Sequence, residues 1–212
     1  MTTRSSISSS GRARALVAAV LLAAALTLGP AAFATPADPA AARVDAFDNA
    51  LIDTMKEGAS LGVRGRARKL TPAVEAAFDL PTMTRFAVGP SWAQMTPAQQ
   101  ASLTAAFTRL TVNSWAHNFE KYGGERFELE PNVQTRGADK IVQSRLIPPH
   151  DKPVNLIYRM RQTPEGWKII DVYFDGVSQL TTRRSDFAQP AANGGADGLL
   201  THLNALSDKL LK

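Results

Sequence analysis

Residues Thr96 to Gly124 read TPAQQASLTAAFTRLTVNSWAHNFEKYGG. In the opening Thr96-Pro97-Ala98-Gln99, the Thr hydroxyl can accept from the Gln99 amide while the Gln side chain returns to Thr96. Pro97 brings the preset φ of a first helical position. The helix so started carries Leu103, Phe107, Leu110, Trp115 and Phe119 on one broad stripe reaching towards Tyr122, and Gly123-Gly124 ends it. A helix this long with rings this large has to lie against an apolar surface.

Downstream of Gly124 the apolar period changes from about 3.6 to about 2. Phe127, Leu129 and Val133 alternate with Glu128 and Glu130, and Gly137-Ala138-Asp139 marks a turn. A second run goes from Lys140 to Ile147 and breaks at Pro148-Pro149. In a third, Val154, Leu156, Tyr158 and Met160 alternate with Asn155, Arg159 and Arg161, and Pro164-Glu165-Gly166 turns into a fourth, Trp167 to Phe174. Four runs joined by short turn-rich loops predict a four-stranded antiparallel meander. The last is apolar on both faces, with Trp167, Ile169 and Tyr173 on one and Ile170, Val172 and Phe174 on the other. Such a strand is covered on both sides or curves around a cavity.

Upstream, Asp38-Pro39 reads as an N-cap and first helical position, and Val44, Phe47, Leu51, Ile52 and Met55 recur at helical steps until Gly58. A basic stretch, Arg64, Arg66, Arg68 and Lys69, leads to Thr71-Pro72, read as the cap of a second short helix ending at Phe78. Pro81 to Val88 forms another, stopped by Gly89-Pro90. After Asp175-Gly176 the pattern returns to helix, through Phe187 and again from Gly198 to Leu211. Helices, then a sheet, then helices is an α+β order, and a curved sheet under helices can enclose an apolar cavity.

Arg4, Arg12 and Arg14 precede an unbroken apolar run from Ala15 to Leu28, followed by Gly29-Pro30 and Ala32-Phe33-Ala34. This is the layout of a cleavable secretory signal over residues 1–34, with Thr35 the mature N-terminus and 35–212 a single domain. The run is too short to span a bilayer as a helix, for which roughly 20 residues are needed. The precursor's net charge of +5 falls close to neutral once three of the 24 basic residues leave with the signal, so no nucleic-acid footprint remains. With no Cys, the exported chain has neither disulfide staples nor thiol chemistry, and burial has to hold it together.

The chemical signatures are sparse. Gly58-Ala59-Ser60-Leu61-Gly62 matches the Gly-x-Ser-x-Gly elbow of hydrolases, but the elbow needs a strand before it and a helical stripe stands there instead. His117, His150 and His202 are isolated, without a second ligand at metal spacing. Glu128 and Glu130 share a strand face, yet alternation with Phe127 and Leu129 makes that face the solvated one. No catalytic set, metal site or cofactor site can be assembled.

Three segments together resemble the MlaC-like family of periplasmic phospholipid-transport proteins, also called toluene-tolerance or ABC-transporter auxiliary proteins. They are Phe78-Asp79-Leu80-Pro81-Thr82-Met83-Thr84-Arg85-Phe86-Ala87-Val88-Gly89-Pro90-Ser91-Trp92, the helix segment Phe107 to Ala116, and Trp167 to Ser178 with Arg184-Ser185-Asp186-Phe187 and Gly194 to Leu199. The wording around Asp79 to Trp92, with Gly124-Glu125-Arg126-Phe127 and Met160-Arg161-Gln162-Thr163, looks closest to the hopanoid-associated HpnM branch. The resemblance implies a periplasmic carrier, not an enzyme, that takes a phospholipid or hopanoid into an apolar cavity and passes it between inner- and outer-membrane transport complexes.

Stripe and alternation, rather than any motif, nominate Phe86, Trp92, Phe107, Leu110, Trp115, Phe119, Tyr158, Met160, Ile170 and Tyr173 for the cavity wall. Arg64, Arg66, Arg68, Lys69 and Arg85 are the candidates for head-group or partner contact. The competing expectation is a ligand-free envelope adaptor of the same fold with a closed core.

Overall fold

A computed structural model describes residues 38–212; the expected signal and its cleavage site lie outside the described residues. The helices are α1 (Pro39–Lys56), α2 (Gly58–Ala77), α3 (Leu80–Val88), a 3₁₀ turn (Gly89–Gln94), α4 (Pro97–Asn118) and α5 (Gln179–Lys209). The strands are β1 (Arg126–Leu129), β2 (Gln134–Arg136), β3 (Asp139–Ile147), β4 (Val154–Thr163), β5 (Gly166–Phe174) and β6 (Val177–Ser178). The α+β order holds, and no helix among the described residues is long and apolar enough to cross a membrane.

Local chemistry explains most helix starts. Asp38 accepts from the Ala40 amide at 2.9 Å ahead of Pro39, and Asp79 does the same for Thr82 at 3.1 Å ahead of Pro81. The Thr96 capping box is complete: its hydroxyl accepts from the Gln99 amide at 3.3 Å and its amide donates to Gln99 Oε1 at 2.9 Å. α4 stops at Asn118 with Phe119 as cap, earlier than Gly123-Gly124.

Thr71-Pro72 does not begin a new helix. α2 runs through Pro72, with its break further back at Gly62, which adopts φ +59°. Leu70, Val74 and Ala77 are all in the core, and that burial on both sides of the proline offsets the roughly 3 kcal/mol that an interior Pro costs a helix. The Gly58–Gly62 segment is the first stretch of α2, ahead of its break, and not a strand-to-helix elbow. A Cβ at Gly58 would stand 2.0 Å from the carbonyl oxygen of Glu120, so the glycine is there for close backbone approach.

The sheet has six strands, not four, in the order β1-β3-β4-β5-β6, with β2 also paired to β3 and every pairing antiparallel. The first expected strand is split: β1 pairs with Ser144–Ile147 and β2 with Asp139–Ile141. Pro131, which lacks an N–H for the ladder, lies in the gap. After β5, Asp175 (φ +45°) and Gly176 (φ +86°) form a tight hairpin turn that adds β6 before α5 begins.

A register shift between Arg159 and Met160 leaves Ile170 as an extra residue on β5. This bulge corrects the expected faces. Beyond it Val172 pairs with Tyr158 and Phe174 with Leu156, while before it Ile169 pairs with Met160, so these three share the helix-covered face. Tyr173 pairs with Ile157 on the opposite face. The helices pack over β5 from one side, and the connection between α2 and α3 runs beside it, the Asp79 amide donating to the Ile169 carbonyl at 2.9 Å.

Candidate functional site

The core under α1 is aromatic. Phe47 meets Phe78 and Trp115 edge-on at 5.0 and 4.9 Å, and Trp115 leans on Phe119 at 5.3 Å. Within it sits one polar cluster. Asp48, 2% exposed, accepts from Ser144 Oγ and from the Tyr158 hydroxyl, each at 2.8 Å. Burial pushes the Asp48 carboxyl up to about 7, against the two donors, which lower it. The same burial raises Tyr158 well above its ordinary range. Asp48 stands one helical turn beyond Val44 on the apolar stripe of α1; a carboxylate at that position was the signal that reading by apolar period alone passed over.

On the other side of Trp115 an open pocket of about 210 Å³ enters between α4, β5 and the two ends of α5. Phe107 and Trp115 of α4, Val172 and Phe174 of β5, Leu180 of α5 and Leu210 just past its end contribute walls, together with Phe78 and Met83. Thr111, Ser114 and Asn118 follow one another along α4, with Gln179 and Arg183 facing them from α5. The Thr111 and Ser114 hydroxyls donate back to the carbonyls of Phe107 and Leu110 at 2.8 Å, which leaves the Thr111 methyl for apolar contact.

Of the ten nominated wall residues, the structure brings Phe107 and Trp115 to this pocket. Leu110, Phe119, Tyr158, Met160 and Ile170 are buried away from its lining; Phe119 stacks on Phe127, and Ile170 is the bulge residue. Trp92 is half-buried in the 3₁₀ turn, Phe86 is exposed beside Arg85, and Tyr173 lies on the far face of the sheet. The residues that α5 supplies were not nominated. Gln179, Leu180, Arg183 and Leu210 carry no local signal of their own, because α5 brings both ends of a 31-residue helix to one place.

The basic candidates also separate. Arg66 is buried, its guanidinium donating to the carbonyls of Ala116 at 2.8 Å and Gly58 at 3.0 Å, so it ties α2 to α4. Lys69 binds Glu57 at 2.8 Å and the Asp53 carbonyl at 3.0 Å. Arg64, Arg68 and Arg85 remain exposed. Glu128 and Glu130 are engaged by arginines on the solvated face, Glu128 by Arg126 and Arg145, Glu130 by Arg145. His117 and His150 are exposed, and no metal-holding cluster is present among the described residues.

α5 is two helices joined at Gly195, which adopts φ +59° and ψ −146°. Its second part is fastened to α4: Asn113 Nδ2 donates to Ser207 Oγ at 2.7 Å, and Arg109 reaches Asp208 and Asn204, each at 2.9 Å. Its start is fastened to the sheet, where Asp171 accepts from Ser178 Oγ at 2.6 Å and from the Leu180 amide at 3.0 Å.

Helices laid over one face of an antiparallel sheet, with an aromatic-walled pocket between α4, α5 and β5, define a small α+β fold. The chain belongs to the MlaC family: the family pattern described as MlaC protein matches residues 45–205. Among solved structures it resembles the phospholipid-binding protein from Ralstonia solanacearum, determined in complex with a phospholipid. The two are 24% identical, the match covers 82% of this chain and 100% of that one, and the TM-score is 0.73. That likeness establishes the fold.

Proposed function

We propose that the chain is a lipid carrier of the periplasm that binds a phospholipid by its acyl chains in the pocket between α4, β5 and α5. It hands the lipid unaltered between membrane transport complexes. The observation that carries this reading is the aromatic-walled pocket beside Trp115 in a chain of the MlaC family, with a fold neighbour that holds a phospholipid. Each methylene moved out of water contributes about 0.8 kcal/mol, so a free acyl chain cannot cross an aqueous compartment at a useful rate without such a sleeve.

The pocket is smaller than the roughly 300–1,000 Å³ of ordinary small-molecule sites. A whole diacyl lipid therefore requires the walls to part. Within α5 the break at Gly195, between two segments anchored on different elements, is where such parting would be taken up. Exposed Arg64, Arg68 and Arg85 are left for contact with a membrane partner.

Native mass spectrometry of the purified chain tests the reading. The expected spectrum carries one added mass that matches a phospholipid and leaves on solvent extraction. A hopanoid mass instead would assign the chain to the hopanoid-associated HpnM branch. A bare-chain mass, with nothing extractable, would favour the ligand-free adaptor.

A further inference from the structure

At two successive positions α1 carries a ring that backs the pocket and a carboxylate that ties the helix to the sheet. Phe47 meets Phe78 and Trp115 edge-on at 5.0 and 4.9 Å, and both of those residues also line the pocket between α4, β5 and α5. Asp48 holds α1 to two strands at once, with Ser144 Oγ of β3 and the Tyr158 hydroxyl of β4 each donating to one of its oxygens at 2.8 Å. Among the described residues these are the only side-chain hydrogen bonds between α1 and the sheet.

The carboxyl has no counter-ion. Asp45, one turn back on α1, adds a like charge. Asp48 also lines a second open pocket, of about 210 Å³, with Asp45, Asn49, Glu125 and Arg126. Arg126, the cation there, is drawn instead to Glu128 at 2.9 Å. From β3 and β4 the facing groups are Ser144 and Tyr158, and burial keeps that phenol protonated, well above its ordinary range. Asp48 is therefore the member of the cluster that changes charge near neutrality, at about 7, its burial outweighing both donors.

The two charge states suit this place differently. A neutral carboxyl accepts from the phenol and shares its own proton with the Ser144 hydroxyl, which can accept as well as donate. Once ionised, the group is a buried charge with two neutral donors and no opposite charge, which burial penalises heavily. Water in the second pocket offers it relief.

We infer that Asp48 is a pH-sensitive latch on the lipid pocket: neutral, it holds α1 and the Phe47 ring against Phe78 and Trp115, and ionised, it turns towards the second pocket, loosens that wall and speeds lipid release. The inference rests on the lipid-pocket reading above and adds regulation to it.

Two measurements on the purified chain test it. The first follows Trp115 emission over about pH 5 to 9 in delipidated protein that carries Trp92→Phe and Trp167→Phe. It should show one transition centred near pH 7. Asp48→Asn should abolish that transition, and Tyr158→Phe should move it to higher pH, because the phenol's hydrogen bond lowers the carboxyl. A flat titration, or a transition that persists in Asp48→Asn, overturns the latch. The second measurement loads the chain, with all its tryptophans, with dioleoylphosphatidylglycerol and reads the rate of lipid loss to excess dioleoylphosphatidylcholine vesicles. Release should be about tenfold faster at about pH 8 than at about pH 6, and Asp48→Asn should keep the slow rate at both. A rate independent of pH, or the same dependence in Asp48→Asn, overturns the latch and leaves the pocket reading standing. A parent chain that takes up no lipid overturns both.

Discussion

Trp115 stands between two regions that use the same kinds of side chain to opposite ends. Towards α1 its ring meets Phe47 at 4.9 Å, and the space beyond is filled by Val44, Leu51 and the Asp48–Ser144–Tyr158 cluster. Towards α5 it faces Phe174 at 5.8 Å, and there the packing stops at an open pocket. The first region is closed by a polar latch that spans α1, β3 and β4. The second is bounded by a helix with a glycine break. Large rings do not by themselves distinguish core from pocket wall; what lies on their second face does.

That contrast makes the largest expected effect a matter of stability. Phe47→Ala should cost about 3–5 kcal/mol, through lost transfer energy and the void left behind. Phe174→Ala, half-buried at the pocket, should cost well under half as much. Urea unfolding of both variants checks the pair. Equal costs would mean that the pocket side is packed like the core.

The latch predicts a pH dependence of intermediate size. Asp48 titrates at about 7 in the folded chain and near 4 when unfolded. Between these values the native state keeps a proton that the unfolded state has lost. Its contribution is therefore fully present below about pH 4 and is lost as pH rises towards about 7, by at most about 1.4 kcal/mol per pH unit. Asp48→Asn keeps one acceptor oxygen, puts an NH2 donor in place of the other and removes the titration. Its stability should be flatter over that window and should exceed the parent's at about pH 8, as chemical unfolding at a series of pH values would reveal.

Smaller still is the cap. Thr96→Ala should cost about 1 kcal/mol in thermal or urea unfolding, because the hydroxyl satisfies one helix-end amide far from the pocket lining. Lipid identity should stay the same. A stable variant that loses its lipid would move that hydroxyl from the fold to the site.

The helices with caps were legible because their signals are local: Asp38-Pro39, Asp79 before Pro81, and Thr96 with Gln99 each satisfy amides within three residues. The sheet was legible as antiparallel strands but not in number, since the break at Pro131 and the two-residue β6 are too short for a period to register. The bulge at Ile170 changed the parity of β5, and strict alternation put Tyr173 on the wrong side of the break. Site residues were least legible. Phe107 and Trp115 were nominated from their stripe on α4, whereas Arg183, Gln179 and Leu210 reach the pocket through the long return of α5, which no local pattern records.

If the space beside Trp115 is reserved for lipid, Thr111→Trp should close it. Thr111 is half-buried on α4 and lines the pocket, so an indole there would occupy the proposed acyl site without entering the Phe47 core. Lipid recovered with the variant should fall to background while the stability of the delipidated protein changes by no more than about 1 kcal/mol. Full lipid retention in a stable Thr111→Trp protein would contradict the lipid reading.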